Sequence, residues 1–246
     1  MKTVSSLFAC VALVVAGAMP GMADEEQILR EETHAPAGAM QARYILVKPQ
    51  HADPARKYPL FIFLHGQGYS PELTLHDDVA LFTRQEFFVL LPQAPDRRGD
   101  GFSWYNLADV NQLLVDMNRD ERLLKAMIEE VTAAHNIDRS HIVLSGFSSG
   151  GRLCFYVGFR NPKLFAKIVP VGGYYMPDLL DSGLANLNGL KVSIYHGTED
   201  TVNPFDQMKE SYENLRRKGV TVTLTTYPLG HTYTPEVLNR ILNEVK

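Results

Sequence analysis

Short, nearly continuous apolar runs alternate with amphipathic stretches from about residue 40 to the C-terminus, and this constrains the fold more than any other feature. Tyr44-Ile45-Leu46-Val47, Pro59 to Leu64, Phe87 to Leu91, His141 to Ser145, Lys167 to Val171, Val192 to Tyr195 and Val220 to Thr226 read as strands. Most lack polar alternation, as strands do when both faces of a parallel sheet are covered. Arg119 to His135 puts Leu124, Met127, Ile128 and Val131 on one helical stripe. Pro204 to Lys218 does the same with Phe205, Met208, Tyr212 and Leu215 before Gly219 ends it. Thr234-Pro235-Glu236 starts a last helix that turns Leu238, Ile241, Leu242 and Val245 inward. The pattern predicts an α/β fold, a mostly parallel sheet between helix layers, occupying residues 41–246 as one domain. Ligands of such sheets bind at the C-terminal strand ends.

The N-terminus reads differently. Lys2, the small and apolar Leu7 to Ala18, and Gly21-Met22-Ala23 ahead of Asp24-Glu25-Glu26 form the pattern of a secretory signal peptide over residues 1–23. The apolar run is short for a bilayer span, so stable membrane insertion is not expected. A secreted or periplasmic location follows, with residues 24–40 as an N-terminal extension. The remaining chain of about 220 residues suffices for one sizeable domain. Hydrophobic residues make up 45% of the chain and charged residues 21%, which excludes a disordered class. The net charge is −4, and the one basic run, Arg216-Arg217-Lys218, sits late in a helix where it suits the dipole. A nucleic-acid partner is therefore not expected. Of two cysteines, Cys10 falls in the leader. Cys154 lies among Leu153, Phe155 and Val157 and reads as a small buried hydrophobe.

Gly146-Phe147-Ser148-Ser149-Gly150 carries the chemistry. It follows the His141 to Ser145 run and precedes the helical spacing of Arg152 to Phe159. A serine at the tip of a strand, tight turn and helix is strained and exposed, and the helix N–H groups point at whatever its hydroxyl attacks. Such a hydroxyl needs a base, and the base needs a group that fixes its tautomer. In this architecture the chain order is Ser, acid, His. Asp200, in His196-Gly197-Thr198-Glu199-Asp200, follows the Val192 to Tyr195 strand, with Glu199 as its nearest rival. His231, in Leu229-Gly230-His231, follows the Val220 to Thr226 strand. For the oxyanion, one donor falls to the Ser149 N–H. The other falls to the Gln67 N–H in Leu64-His65-Gly66-Gln67-Gly68, with Gly66 as the competing register.

Other candidates carry less. His65 and His196 each precede a glycine at a strand end and read as loop-shaping residues. His76-Asp77-Asp78 reads as a polar loop or helix start, since adjacent helical residues diverge; no metal site is assigned. Trp104, Tyr105 and Tyr174, with Tyr69, Tyr175 and Tyr233, offer faces on which a sugar or aromatic acyl group would stack. The competing reading is packing that holds the loops. The Gly172 to Leu190 stretch is short, which predicts no large lid and an open, shallow site.

With these residues the chain resembles the α/β-hydrolase superfamily from about Tyr44 onward. More narrowly it resembles the phospholipase/carboxylesterase group, which includes acyl-protein thioesterases and small bacterial esterases. The carriers are Leu64 to Gly68, Ser103-Trp104-Tyr105, Ile137-Asp138 leading to Gly146 to Gly151, His196-Gly197 with Asp200 and Pro204, and Gly230-His231. Secreted poly(hydroxyalkanoate) depolymerases and feruloyl or acetylxylan esterases resemble the pattern too. The resemblance implies cofactor-free hydrolysis, with triad roles on Ser148, Asp200 and His231 and oxyanion donors on Gln67 and Ser149. The expected substrate is a small or polymer-displayed ester. Thioester, amide or acyl-transfer chemistry on the same triad, and a non-catalytic glycan-binding protein on this scaffold, are the alternative readings.

Overall fold

The computed structural model describes residues 28–34, 41–107, 109–177, 187 and 189–245, with residues 28–34, 41, 42 and 110 as backbone only. The leader, residues 178–186 and residue 188 lie outside the described residues, and with them part of the connection read as too short for a lid. An 8-stranded sheet runs in the order β1-β2-β4-β3-β7-β8-β9-β10. Its strands are β1 (Ile28–His34), β2 (Gln41–Val47), β3 (Tyr58–Leu64), β4 (Phe88–Pro92), β7 (Ile137–Phe147), β8 (Lys167–Val171), β9 (Lys191–Gly197) and β10 (Thr221–Tyr227). β1 and β2 pair antiparallel with each other, as do β2 and β4; every other neighbour pair is parallel. This is the α/β-hydrolase architecture the sequence implies.

Side chains alternate between two cores. Leu60, Ile62 and Leu64 of β3 face one cluster with Leu124, Met127 and Ile128 from α2 (Val110–Ala134), Leu153 and Val157 from α3 (Ser149–Arg160), and Met208 and Leu215 from α4 (Phe205–Arg217). Phe61 and Phe63 face the other, with Leu75 and Phe82 from α1 (Pro71–Thr83) and Leu238 and Ile241 from α5 (Pro235–Asn243). Every one of these side chains is essentially removed from water, and each contributes about 2 kcal/mol by burial. Cys154 is buried and unpaired, with its thiol donating to the Leu144 carbonyl.

Several elements depart from the sequence reading. The sheet reaches back to Ile28, within the segment read as an extension. α2 begins at Val110 rather than Arg119, because the Asp109 carboxylate accepts the Asn111 and Gln112 N–H groups and caps two earlier turns. His76, Asp77 and Asp78 lie inside α1, not in a loop or at a helix start. That helix is initiated by the Ser70 hydroxyl, which accepts from the Leu73 N–H, and by Pro71. A two-stranded ribbon, β5 (Asp96–Arg98) with β6 (Gly101–Ser103), stands beside the main sheet.

Candidate active site

The Ser148 turn is set by close packing. A Cβ on Gly146 would come within 2.7 Å of the Gly150 backbone, and one on Gly150 within 2.2 Å of the Leu64 carbonyl oxygen. α3 therefore sits directly on the ends of β7 and β3. Ser148 is the one non-glycine residue with positive φ among the described residues, at φ 57° and ψ −115°. That conformation costs about 1–3 kcal/mol and is held by surrounding bonds. The Ser148 N–H donates to the Val171 carbonyl (2.9 Å), and the Arg152 N–H to the Ser148 carbonyl (3.1 Å).

The structure brings the sequence-predicted trio together. Asp200 sits in the turn after β9. Its Oδ1 accepts the N–H groups of Val202 (2.9 Å) and Asn203 (2.8 Å). Its Oδ2 lies 2.7 Å from His231 Nδ1, and His231 Nε2 lies 2.8 Å from Ser148 Oγ. A carboxylate cannot donate, so the ring proton belongs on Nδ1 and Nε2 is left to accept from the hydroxyl. The Phe147 ring packs on the imidazole at 4.9 Å between centroids, and Tyr233 packs edge-on against Phe147 at 5.2 Å. The Tyr233 hydroxyl in turn donates to Asp78 (3.0 Å).

Backbone N–H groups on both sides of this turn lack an acceptor within the fold among the described residues. Ser149 is the first residue of α3, so its N–H has no intrahelical acceptor. In the loop after β3, the Gly68 N–H donates to Phe102 and the Tyr69 N–H to Gly66, which leaves the Gly66 and Gln67 N–H groups. His65 fixes the root of this loop. Its Nδ1–H donates to the Gly66 carbonyl (2.7 Å), its Nε2 accepts the Ala94 N–H (3.1 Å), and its own carbonyl accepts Trp104 Nε1–H (2.9 Å). This pattern needs a neutral ring, and burial lowers its pKa to about 4. His196 is likewise buried, with its Nε2–H on the Asn203 carbonyl. Both histidines are structural, as the sequence suggests.

The reading of Trp104 and Tyr105 as substrate-binding is corrected. Trp104 is 1% exposed and Tyr105 3% exposed, so neither presents a face to a ligand. Trp104 stacks on His65 with centroids 5.1 Å apart, and the Tyr105 hydroxyl donates to the Ser149 carbonyl (3.1 Å). Both brace loops, and a sequence does not reveal which way an aromatic ring points. Tyr175 is buried as well, whereas Tyr174 is half-buried and Tyr69 is 46% exposed.

The sequence profile of the family described as Phospholipase/Carboxylesterase matches residues 50–246. The chain belongs to the phospholipase/carboxylesterase family. It is a hydrolase, and its relatives are of the carboxylesterase and thioesterase type. Among them, the acyl-protein thioesterase 1 homolog 2 of Dictyostelium discoideum is 27% identical over 155 residues, covering 57% of this chain and 69% of the relative. The poly(3-hydroxyalkanoate) depolymerase C of Paucimonas lemoignei is 27% identical over 189 residues, covering 61% of this chain but only 42% of the relative. The crystal structure of esterase PE8 superposes with a TM-score of 0.67 at 21% identity, over 82% of this chain and 97% of that one. That likeness speaks to the fold.

Two side chains at the site of this phospholipase/carboxylesterase family member were not singled out from sequence. Asn203 is wholly buried three residues after Asp200, and Arg152 is 7% exposed four residues after Ser148. They meet across 51 positions of chain, with Arg152 donating to Asn203 Oδ1. A polar residue on an otherwise apolar stripe, as Arg152 is among Leu153, Cys154, Phe155 and Tyr156, was the available signal. Among the described residues no group of three or more His, Cys, Asp or Glu side chains is arranged to hold a metal ion, and no helix is long and apolar enough to cross a membrane.

Proposed function

We propose that this chain is a secreted serine esterase that works through an acyl-enzyme. Ser148 Oγ attacks the ester carbonyl while its proton passes to His231 Nε2. Asp200 holds the ring tautomer and stabilises the imidazolium. The oxyanion is received by the N–H groups of Gln67 and Ser149; loss of one such donor typically costs about 3 kcal/mol of transition-state stabilisation. As the tetrahedral species collapses, the C–O bond breaks and the alcohol leaves with the proton from His231. Water, deprotonated by the same ring, then attacks the acyl carbonyl and restores Ser148. The observation that carries this reading is the continuous relay of 2.7 Å and 2.8 Å contacts ending on a serine with positive φ.

A fluorophosphonate probe is expected to label Ser148 in the folded protein, and Ser148→Ala to lower kcat by at least about 10⁴-fold without changing the fold. An unlabelled Ser148 in folded, soluble protein would end this reading. For substrate, the exposure of Gln67 and Tyr69 beside the turn supports a small ester or one displayed on a polymer. Turnover of p-nitrophenyl acyl esters, feruloyl esters and acetylated polysaccharide ranks these classes. The naming of one relative as a thioesterase favours a second reading, a thioester substrate. A matched oxyester and thioester pair with the same acyl group separates the two by kcat/KM. Secretion rests on the leader pattern over residues 1–23 and predicts an exported protein beginning at Asp24.

A further inference from the structure

Asn203 has every polar atom engaged, and its partners come from three different segments of the site: β9 with its following turn, the residue after β8, and α3. Its N–H donates to Asp200 Oδ1 (2.8 Å), its Nδ2–H to the Gly172 carbonyl (2.5 Å), its own carbonyl accepts His196 Nε2–H (2.8 Å), and its Oδ1 accepts from Arg152. Gly172 follows β8 and is the residue whose Cβ position lies 3.7 Å from His231 Cε1. One residue thus ties three parts of the site together: its backbone holds the acid turn, and its side-chain amide reaches the loop under the imidazole and the helix that begins after Ser148.

Arg152 is the unusual member. Its guanidinium is buried, stacks on the Tyr174 ring at 4.5 Å, and leaves Nε without a partner. It forms no ion pair with any carboxylate among the described residues. A buried cation without a counter-ion is costly, and a neutral helix former would pack α3 with less penalty. What the arginine supplies is a charge-assisted hydrogen bond reaching across to the acid turn. His196 shows why that turn needs fixing. Its Nε2 is only 3.5 Å from Asp200 Oδ2, the oxygen that His231 uses. Burial disfavours the charged ring and lowers its pKa, so His196 has a single N–H to give. The Asn203 carbonyl takes it, and Oδ2 stays free for His231.

We propose that Arg152 and Asn203 form a positioning pair that registers the Asp200 carboxylate against the nucleophile turn. Neither touches substrate; both act through Asp200. The inference rests on the serine-hydrolase reading and sharpens it.

The test uses the full chain, p-nitrophenyl butyrate as substrate and a fluorophosphonate as a count of competent sites. Arg152→Met is expected to lower kcat per labelled site about 10- to 100-fold, the scale of a small misplacement of a catalytic group. KM should stay within about twofold, and the labelling rate should fall in parallel with kcat. Arg152→Lys keeps the charge and one donor and should return kcat to within about fivefold of wild type. Asn203→Leu should match Arg152→Met, and the double variant should be no worse than either, since the two act as one unit. An unchanged kcat per labelled site in Arg152→Met, a loss confined to KM, or additive losses in the double variant would overturn the pair. Should Arg152→Met not fold, Asn203→Ser is read in its place by the same criteria. Wild-type protein that does not label at Ser148 ends the hydrolase reading and the pair with it; wild-type labelling with indifferent variants ends the pair alone.

Discussion

The sheet carries two polar clusters that use similar groups to opposite ends. Near the start of β8, the Lys167 ammonium (2.6 Å) and the Ser193 hydroxyl (3.2 Å) donate to Glu244 Oε2, and the Tyr195 hydroxyl donates to Oε1 (2.9 Å). That cluster is closed: a serine, a carboxylate and a cation, each with a partner, on backbone of ordinary geometry. At the other end, Ser148, His231 and Asp200 also form a chain of hydrogen bonds. There the serine sits at positive φ, and Ser149, directly after it, opens α3 with an N–H that has no intrahelical acceptor. The presence of Ser, acid and base does not distinguish a reactive cluster from a structural one. What distinguishes it is strain in the serine's backbone and donors left over for an incoming charge.

The comparison can be broken in three ways. The largest effect is expected from Asp200→Asn, which keeps the shape but favours the wrong imidazole tautomer. kcat should fall by about 10³-fold or more with little change in the unfolding midpoint. Steady-state kinetics beside a denaturant titration checks both halves. Acid is next. His65 has a folded pKa of about 4, well below its unfolded value. The unfolded chain therefore binds a proton that the native state refuses, and stability declines as pH falls from about 6.5 towards 4, by at most about 3 kcal/mol from this group. Buried His196 acts in the same direction. His65→Gln should flatten the slope of unfolding free energy over that window; an unchanged slope would remove His65 as its source. The smallest effect is expected from Glu244→Gln. It should cost about 2 kcal/mol of stability, because the Lys167 pair is partly exposed. Turnover should be unchanged, and a kinetic defect there would blur the line between the two clusters.

Much of this was legible in the sequence, for a physical reason. β3, β4, β8, β9 and residues 142–146 of β7 are buried on both faces, so their apolar runs are nearly unbroken. Ser148, Asp200 and His231 each follow their own strand, so a correct strand assignment puts all three on one edge. The rest was hidden where a residue's role depends on a distant partner. β5 is Asp96, Arg97 and Arg98, all exposed, and nothing in that tripeptide reads as strand. It pairs because Gly99 takes positive φ and reverses the chain. α1 was obscured by its mixed composition and by Asp78, which breaks helical geometry at φ −124° and ψ 16°; Ser70-Pro71 was the start signal. Trp104 and Tyr105 misled because aromatic content was visible and orientation was not. Asn203 and Arg152 had no local signature that could have linked them.

Gly172 limits how the site can be re-engineered. It takes φ 56°, and a methyl there would approach the Phe147 ring to 2.9 Å. That ring is the floor of the imidazole. Any side chain placed there would push on Phe147 and, through it, on the His231 ring. Gln67 and Tyr69, in the loop after β3, are exposed and carry no such constraint. A single glycine after β8 thus keeps the aromatic support of His231 in register, and change is tolerated more readily in the exposed loop after β3 than here.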